Sequence, residues 1–209
     1  MTDAYAAWKY AEDTVTERQE IVRARRHSLE AGVEPVSPAT GAQLAQLAAA
    51  IDARQILEIG TGCGVASLWL LSGAAEAQLT TIDIEAEHQQ VAKEAFVAAG
   101  VPATRTRFIT GRATEVLPRM NDGSYDLVLV DADPRAVLEN VEHALRVARP
   151  GGTVAVVRAL WRGRVADPTA RDETTIEFRS LLETTLDSEA VVSALSPIGD
   201  GLLLLTRRR

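Results

Sequence analysis

The sequence predicts an α/β fold: a mostly parallel, doubly wound sheet with helices on both faces, ending in an antiparallel hairpin. Three observations predict it. From residue 55 onward, short apolar runs of β-forming residues alternate with helical patterns. That alternation opens with a strand, a glycine-rich turn and a helix start at Leu57-Glu58-Ile59-Gly60-Thr61-Gly62-Cys63-Gly64. Only Pro197-Ile198-Gly199-Asp200-Gly201 stands close between the last two apolar runs. A helix between strands returns the chain and makes consecutive strands parallel, whereas two runs joined by a Gly/Asp/Pro turn pair as a hairpin.

The elements follow in order. Residues 3–31 carry apolar residues at helical spacing, with Trp8, Val15, Ile21, Val22 and Leu29 as expected buried positions. Gly32 stops this helix, and Pro35 and Pro38 mark an extended connection. A second helix is expected from 39 to 51, with Leu44, Leu47 and Ala48 on one face. Strands are then expected at 55–59, 79–84, 105–109, 125–130 and 152–157, separated by helices at 65–74, 86–99, 112–119 and 135–148. A helix at 169–186 leads into the hairpin strands 190–195 and 202–206, which brings the sheet to seven strands. The expected organisation is a single domain, with a helical extension at 1–35 and the α/β core at 36–209.

Composition narrows the function. Of 209 residues, 46% are hydrophobic and 24% charged, enough apolar material for a sizeable core. Lys+Arg number 22 against 29 Asp+Glu, a net charge of −7, which argues against a nucleic-acid binder because phosphate contacts need a cationic footprint. Lys9 and Lys93 are the only lysines, so chemistry that needs a lysine has two candidates. Cys63 is the single cysteine, which excludes an intrachain disulfide. No stretch is long and apolar enough to span a bilayer, and Met-Thr-Asp-Ala-Tyr does not read as a secretory signal. A cytoplasmic protein with no membrane partner is expected.

The glycine turn carries the chemistry. Glycines let the backbone turn tightly beside a ligand, and the helix that follows presents free N–H groups. Asp83 closes the next strand about 20 residues on, where a carboxylate accepts hydrogen bonds from both hydroxyls of a ribose. Strand, loop, helix and acid together point to a nucleoside cofactor. A dinucleotide fingerprint would place its third glycine at position 65, which is Val65. Glu58 beside the loop would also oppose a pyrophosphate. An acid there suits a cation, and S-adenosylmethionine carries a sulfonium and an ammonium group.

Several further stretches lie in collinear order: Ser37-Pro38-Ala39-Thr40-Gly41, Thr80-Thr81-Ile82-Asp83, Val130-Asp131-Ala132-Asp133, Pro150-Gly151-Gly152, Leu160-Trp161-Arg162-Gly163 and Ile198-Gly199-Asp200-Gly201. With the glycine loop, they resemble the cation-dependent O-methyltransferases, the family of catechol and caffeoyl-CoA O-methyltransferases and their bacterial relatives. The resemblance covers roughly residues 33–206. It implies the Rossmann-like class I methyltransferase fold, S-adenosylmethionine as cofactor with S-adenosylhomocysteine as product, a small hydroxyl-bearing acceptor and a homodimer. It also implies that Glu58, Gly60 and Gly64 lie against the methionine portion, with Thr61 and Gly62 in the same loop, and Asp131 is expected beside the cationic cofactor as well. Asp83 would hold the ribose, while Ile84, Gly111, Arg112 and Ala113 surround the adenine and Val36 contributes from the segment before the second helix.

The catalytic pattern departs from the family. The family's divalent metal is held by the first Asp of Asp-x-Asp, here Asp131, and by an Asp-Asn pair that maps to Val157-Arg158. The family's lysine beside Asp-x-Asp is replaced by Pro134. Valine does not ligate, and arginine brings positive charge to a site that would need oxygen ligands. No resident metal is therefore expected, and Asp131, Arg158 and Asp133 are the candidate catalytic residues. Three outcomes stay open. Arg158 pairs with Asp131 and methyl transfer proceeds without a cation, with Asp131, Asp133 or His143 receiving a proton; or the protein binds the cofactor without turnover; or a metal binds through Asp131 and Asp133.

The remaining polar features read as ordinary surface. His27, His88 and His143 lack zinc-site spacing, Cys63 has no adjacent base, and Arg23-Ala24-Arg25-Arg26 and Arg207–Arg209 read as solvated charge. Trp161 is expected either to wall an acceptor pocket or to fill the core beside it.

Overall fold

The computed structural model of the chain describes residues 4–209. Five strands, β1 (Gln55–Ile59), β2 (Gln78–Asp83), β3 (Thr106–Thr110), β4 (Tyr125–Val130) and β5 (Ala148–Val157), run parallel in the order β3-β2-β1-β4-β5. The sheet then continues through β7 (Leu202–Arg207) to β6 (Val191–Ser196) at its edge, with β7 antiparallel to both neighbours. The seven-stranded sheet with its terminal hairpin is the architecture the sequence predicts. The order reverses between β1 and β4, and a parallel sheet opens a crevice beyond the carboxyl ends of its strands at such a point.

Strand side chains alternate between two apolar layers, as the two-residue repeat of a strand requires. Ile56, Leu127 and Leu129 join the layer covered by α3 (Pro38–Ala50), α4 (Val65–Gly73) and α5 (Ala86–Ala98). Leu57, Val128 and Val130 join the opposite layer, under α7 (Val137–Val147) and α8 (Glu173–Leu186). A short helix, α6 (Ala113–Val116), leads into a 3-10 turn at Leu117–Arg119, because Pro118 has no N–H with which to continue an α-helix. The helix expected from residue 169 begins at Glu173. Asp172 caps it, its carboxylate accepting from the Thr175 N–H at 3.1 Å.

The N-terminal stretch differs from expectation. The single helix expected at 3–31 is two, α1 (Ala4–Thr14) and α2 (Gln19–Glu30), and position 3 lies outside the described residues. The β-branched run Thr14-Val15-Thr16 disfavours helix, and the Thr14 hydroxyl turns back to the Tyr10 carbonyl at 2.6 Å. The buried stripe of α2 is Ile21, Ala24 and Ser28, so Val22, Leu29 and Trp8 on α1 are exposed instead of buried. Small residues bring α2 close to the turn that follows, where the Ser28 hydroxyl donates to the Val33 carbonyl at 2.9 Å.

The segment between α2 and α3 is tied down from both sides. Arg25 on α2 pairs with Glu17 and donates to the Val36 carbonyl at 2.7 Å. Ser37 caps α3 through the Thr40 N–H, and Pro38 fills its first turn. From α1, the Glu12 carboxylate accepts from the Ser37 hydroxyl at 2.7 Å and the Ala39 N–H at 2.9 Å.

Candidate active site

The loops that follow β1 to β5 all emerge at the carboxyl edge of the sheet. Behind them, under residues 33–36, lies a cavity of ≈ 280 Å³. Of the expected cofactor residues, Val36, Gly60, Thr61, Gly62, Asp83, Ile84, Gly111, Arg112, Ala113 and Asp131 line it. The loop is built for close approach. A Cβ on Gly60 would sit 1.9 Å from the Asp131 carbonyl oxygen, so only glycine lets β1 end against β4, and its φ of +98° is one glycine adopts readily. Asp83 is oriented by two backbone donors, the Gly62 N–H at 2.8 Å and the Glu85 N–H at 2.9 Å. Its carboxylate therefore has a fixed direction at the cavity wall.

Two expected residues sit elsewhere. Gly64 is the N-cap of α4 with φ +86°, and a Cβ there would meet the Phe96 ring edge at 2.9 Å and Ala92 at 3.1 Å; its smallness serves the packing of α4 on α5. Glu58 is fully buried behind the loop, where Oε2 accepts from the Ser67 hydroxyl at 2.5 Å and the Thr81 hydroxyl at 2.6 Å. Oε1 has no partner. Burial pushes this carboxyl up to about 8 against the lowering effect of both hydroxyls. The acids that face the cavity are Glu34, Asp83, Asp131 and Asp133.

A second cavity of ≈ 260 Å³ adjoins the first, sharing Glu34, Asp131, Ala132 and Asp133 with it. Its far wall is Val156, Val157, Arg158, Trp161, Arg162 and Phe178. At the junction of the two cavities Arg158 makes an ion pair with Asp131, and its other terminal nitrogen donates to the Glu34 carbonyl at 2.5 Å. Burial raises the Asp131 carboxyl above the usual range, and the Arg158 guanidinium opposes that rise. Asp133 is not part of this pair. It is half-exposed and bound to Arg135 at 3.0 Å, which holds its carboxyl below the usual range. His143 lines neither cavity. Lys9 pairs with Asp13 on α1 and Lys93 lies over the Phe108 ring at 5.1 Å, so neither lysine reaches the site.

The loop after β5 is held in an uncommon backbone conformation. Arg158, Trp161 and Arg162 have φ of 58°, 47° and 55°, a region that costs non-glycine residues about 1–3 kcal/mol each. The hairpin turn holds it there. Asp200 accepts from the Arg162 N–H at 2.6 and 2.8 Å, its carbonyl accepts from the Leu160 N–H at 2.9 Å, and the Gly201 carbonyl accepts from the Ala159 N–H at 3.0 Å. The Gly-Asp-Gly turn, remote in sequence, thus shapes the wall that carries Arg158. Trp161 both lines the second cavity and stacks on Phe178, with ring centroids 5.5 Å apart.

Sequence reading missed Ser28, Val33, Glu34, His88, Thr114 and Asn140 as lining residues. Each sits on a helix or a connection whose role emerges only when the sheet brings its loops together.

A sequence profile of the family described as O-methyltransferase matches residues 11–208. The chain belongs to this O-methyltransferase family. A protein of Mycobacterium tuberculosis strain H37Rv named "Probable O-methyltransferase" is 44% identical over 201 residues, spanning 96% of this chain and 90% of that protein. Among solved structures, one from Corynebacterium glutamicum superposes with TM-score 0.90 and 32% identity, covering 99% of this chain and 98% of that one. The O-methyltransferase TomG from Streptomyces achromogenes, described as involved in tomaymycin synthesis and solved in complex with S-adenosylmethionine, superposes with TM-score 0.85 and 28% identity over the whole of both chains. Both solved structures superpose over nearly the whole of this chain, whose glycine loop stands at the crevice between β1 and β4.

Proposed function

We propose that this chain transfers a methyl group from S-adenosylmethionine to the hydroxyl of a small, phenol-like acceptor without a resident divalent metal. The observation that carries this reading is the junction of the two cavities, where Arg158 and Asp131 stand as an ion pair between the cavity that Asp83 lines and an aromatic-walled one. The residues present fit the cofactor. Asp83 has the direction to take a ribose hydroxyl pair, and the carboxylates of Glu34 and Asp131 suit a ligand with cationic groups. When bound, the cofactor supplies an electrophilic methyl on its sulfonium.

The chain's own groups do the remaining work. Trp161 and Phe178 offer a flat apolar wall to an aromatic acceptor, and holding the acceptor oxygen in line with the methyl is worth several powers of ten in rate. Arg158 lowers the cost of an oxyanion on the acceptor, the role a cation plays elsewhere. Asp131 accepts the hydroxyl proton, helped by the burial that raises its carboxyl. The donor set does not suit an octahedral metal: Val157 offers no ligand atom, Arg158 occupies Asp131, and Arg135 occupies Asp133.

The finer setting is part of the same reading. The single, buried and unpaired Cys63 supports a reducing, cytoplasmic compartment. The exposed Trp8 and Tyr10 on α1 support a homodimer through this helix, which light scattering checks. The function is tested by thermal shift with S-adenosylhomocysteine, NAD and Mg²⁺ in parallel. A rise with S-adenosylhomocysteine alone is expected; a rise with NAD alone, or none with any, overturns the reading.

A further inference from the structure

Asn140 is one turn into α7 and 2% exposed, yet its Oδ1 has no hydrogen-bond partner. A buried amide oxygen without a partner is costly, and native structures retain few of them. Its setting supplies a reason. Asn140 lines the first cavity with Ala136, one turn earlier on the same face of the chain, and with Ala113 and Thr114 at the start of α6. Two positions in that cavity are marked by its acids. Asp83 marks the ribose position, and Glu34 and Asp131, shared with the second cavity, mark the end where the methyl must be presented. Away from that end, Gly111, Arg112, Ala113, Thr114 and Asn140 line the cavity with Ile84, and this wall suits the base.

An amide presents an acceptor and a donor side by side, which matches the exocyclic amine and ring nitrogen of adenine. We propose that Asn140 reads the adenine base, its Oδ1 accepting from the exocyclic amine, so that the cofactor supplies the hydrogen bond the free protein lacks. The inference rests on the cofactor reading above. It also explains why an amide is present where an apolar residue would pack more favourably: its cost is recovered only when the nucleoside is bound.

The test is a chemical double-mutant cycle by calorimetry. Wild-type, Asn140→Leu and Asn140→Ala proteins are titrated with S-adenosylhomocysteine and with its analogue in which purine replaces adenine, so that only the exocyclic amine is lost. The wild type is expected to bind the adenine form about tenfold more tightly. Both variants should bind the two forms equally, at about the affinity the wild type has for the purine form. The thermal midpoint of each free variant, read as a control for a packing role, should match or exceed the wild type for Asn140→Leu. Retention of the full preference in both variants overturns the proposal while leaving the cofactor reading intact. Failure of the wild type to bind S-adenosylhomocysteine overturns both.

Discussion

Arg158 ion-pairs with Asp131 across the junction of two cavities, from a left-handed backbone position held by Asp200 and Gly201. Both side chains are mostly buried, with 24% and 15% exposure, and the guanidinium is the positive charge that opposes the raising effect of burial on the Asp131 carboxyl. Removing the arginine leaves a mostly buried carboxyl without its partner. Arg158→Ala is expected to lower stability by about 2 kcal/mol, less than the roughly 3–5 kcal/mol of a fully enclosed pair because some water access remains. It should abolish methyl transfer across a phenolic panel while changing S-adenosylhomocysteine affinity less than about threefold. Unchanged turnover would remove Arg158 from the mechanism.

If Arg158 stands in the place of a metal, restoring oxygen ligands should restore the metal. Val157→Asp combined with Arg158→Asn places an acid and an amide beside Asp131. The double variant is expected to gain a saturable rise in thermal midpoint with Mg²⁺, which Asp131→Ala removes. Absence of any Mg²⁺ effect would show that this edge of β5 does not mark a cation's place.

Glu58 makes a prediction about pH. Its carboxyl is raised from 4.5 to about 8 by burial, so the folded protein holds a proton that the unfolded chain has released. A raised folded value gives stability that is fully present below about pH 4.5 and is lost as pH climbs through about 8. Glu58→Gln keeps an oxygen for Ser67 and Thr81 and cannot ionise. Its thermal midpoint should decline less than that of the wild type between pH 5 and 9 (roughly the span of the two values). Parallel curves would contradict a neutral Glu58.

Trp161 separates acceptor binding from cofactor binding. Trp161→Ala is expected to raise the acceptor KM by about tenfold, through loss of the aromatic wall, with S-adenosylhomocysteine affinity unchanged. An effect on cofactor affinity alone would place the acceptor elsewhere.

Much of the fold was legible in the sequence because alternating apolar strands and turn glycines are local signals. β1 and β4 fall at the residues expected, and the hairpin follows from its Pro-Ile-Gly-Asp-Gly turn. The N-terminal helix was misread because apolar spacing does not reveal phase: Ile21 is buried, but its companions are Ala24 and Ser28, and the larger Val22 and Leu29 face water. Glycine identity was legible too, but its purpose was not. Gly60 and Gly64 look alike in the loop, yet one admits the β4 backbone and the other admits α5. Glu58 was expected to present charge to a ligand, and only the hydroxyls of Ser67 and Thr81, with full burial, show that it is held behind the loop. Asn140 carries no sequence signal, because an unpartnered atom is a property of the packed structure.

In the function proposed above, the first cavity holds the methyl donor through groups of the chain alone. Calorimetric titration of chelator-treated protein with S-adenosylhomocysteine tests it most directly, with Asp83→Ala as the paired variant. One-to-one binding without added cation is expected, weakened about 10- to 100-fold when the Asp83 carboxylate is removed. Binding that appears only after Mg²⁺ is added, or equal affinity in the variant, would contradict it.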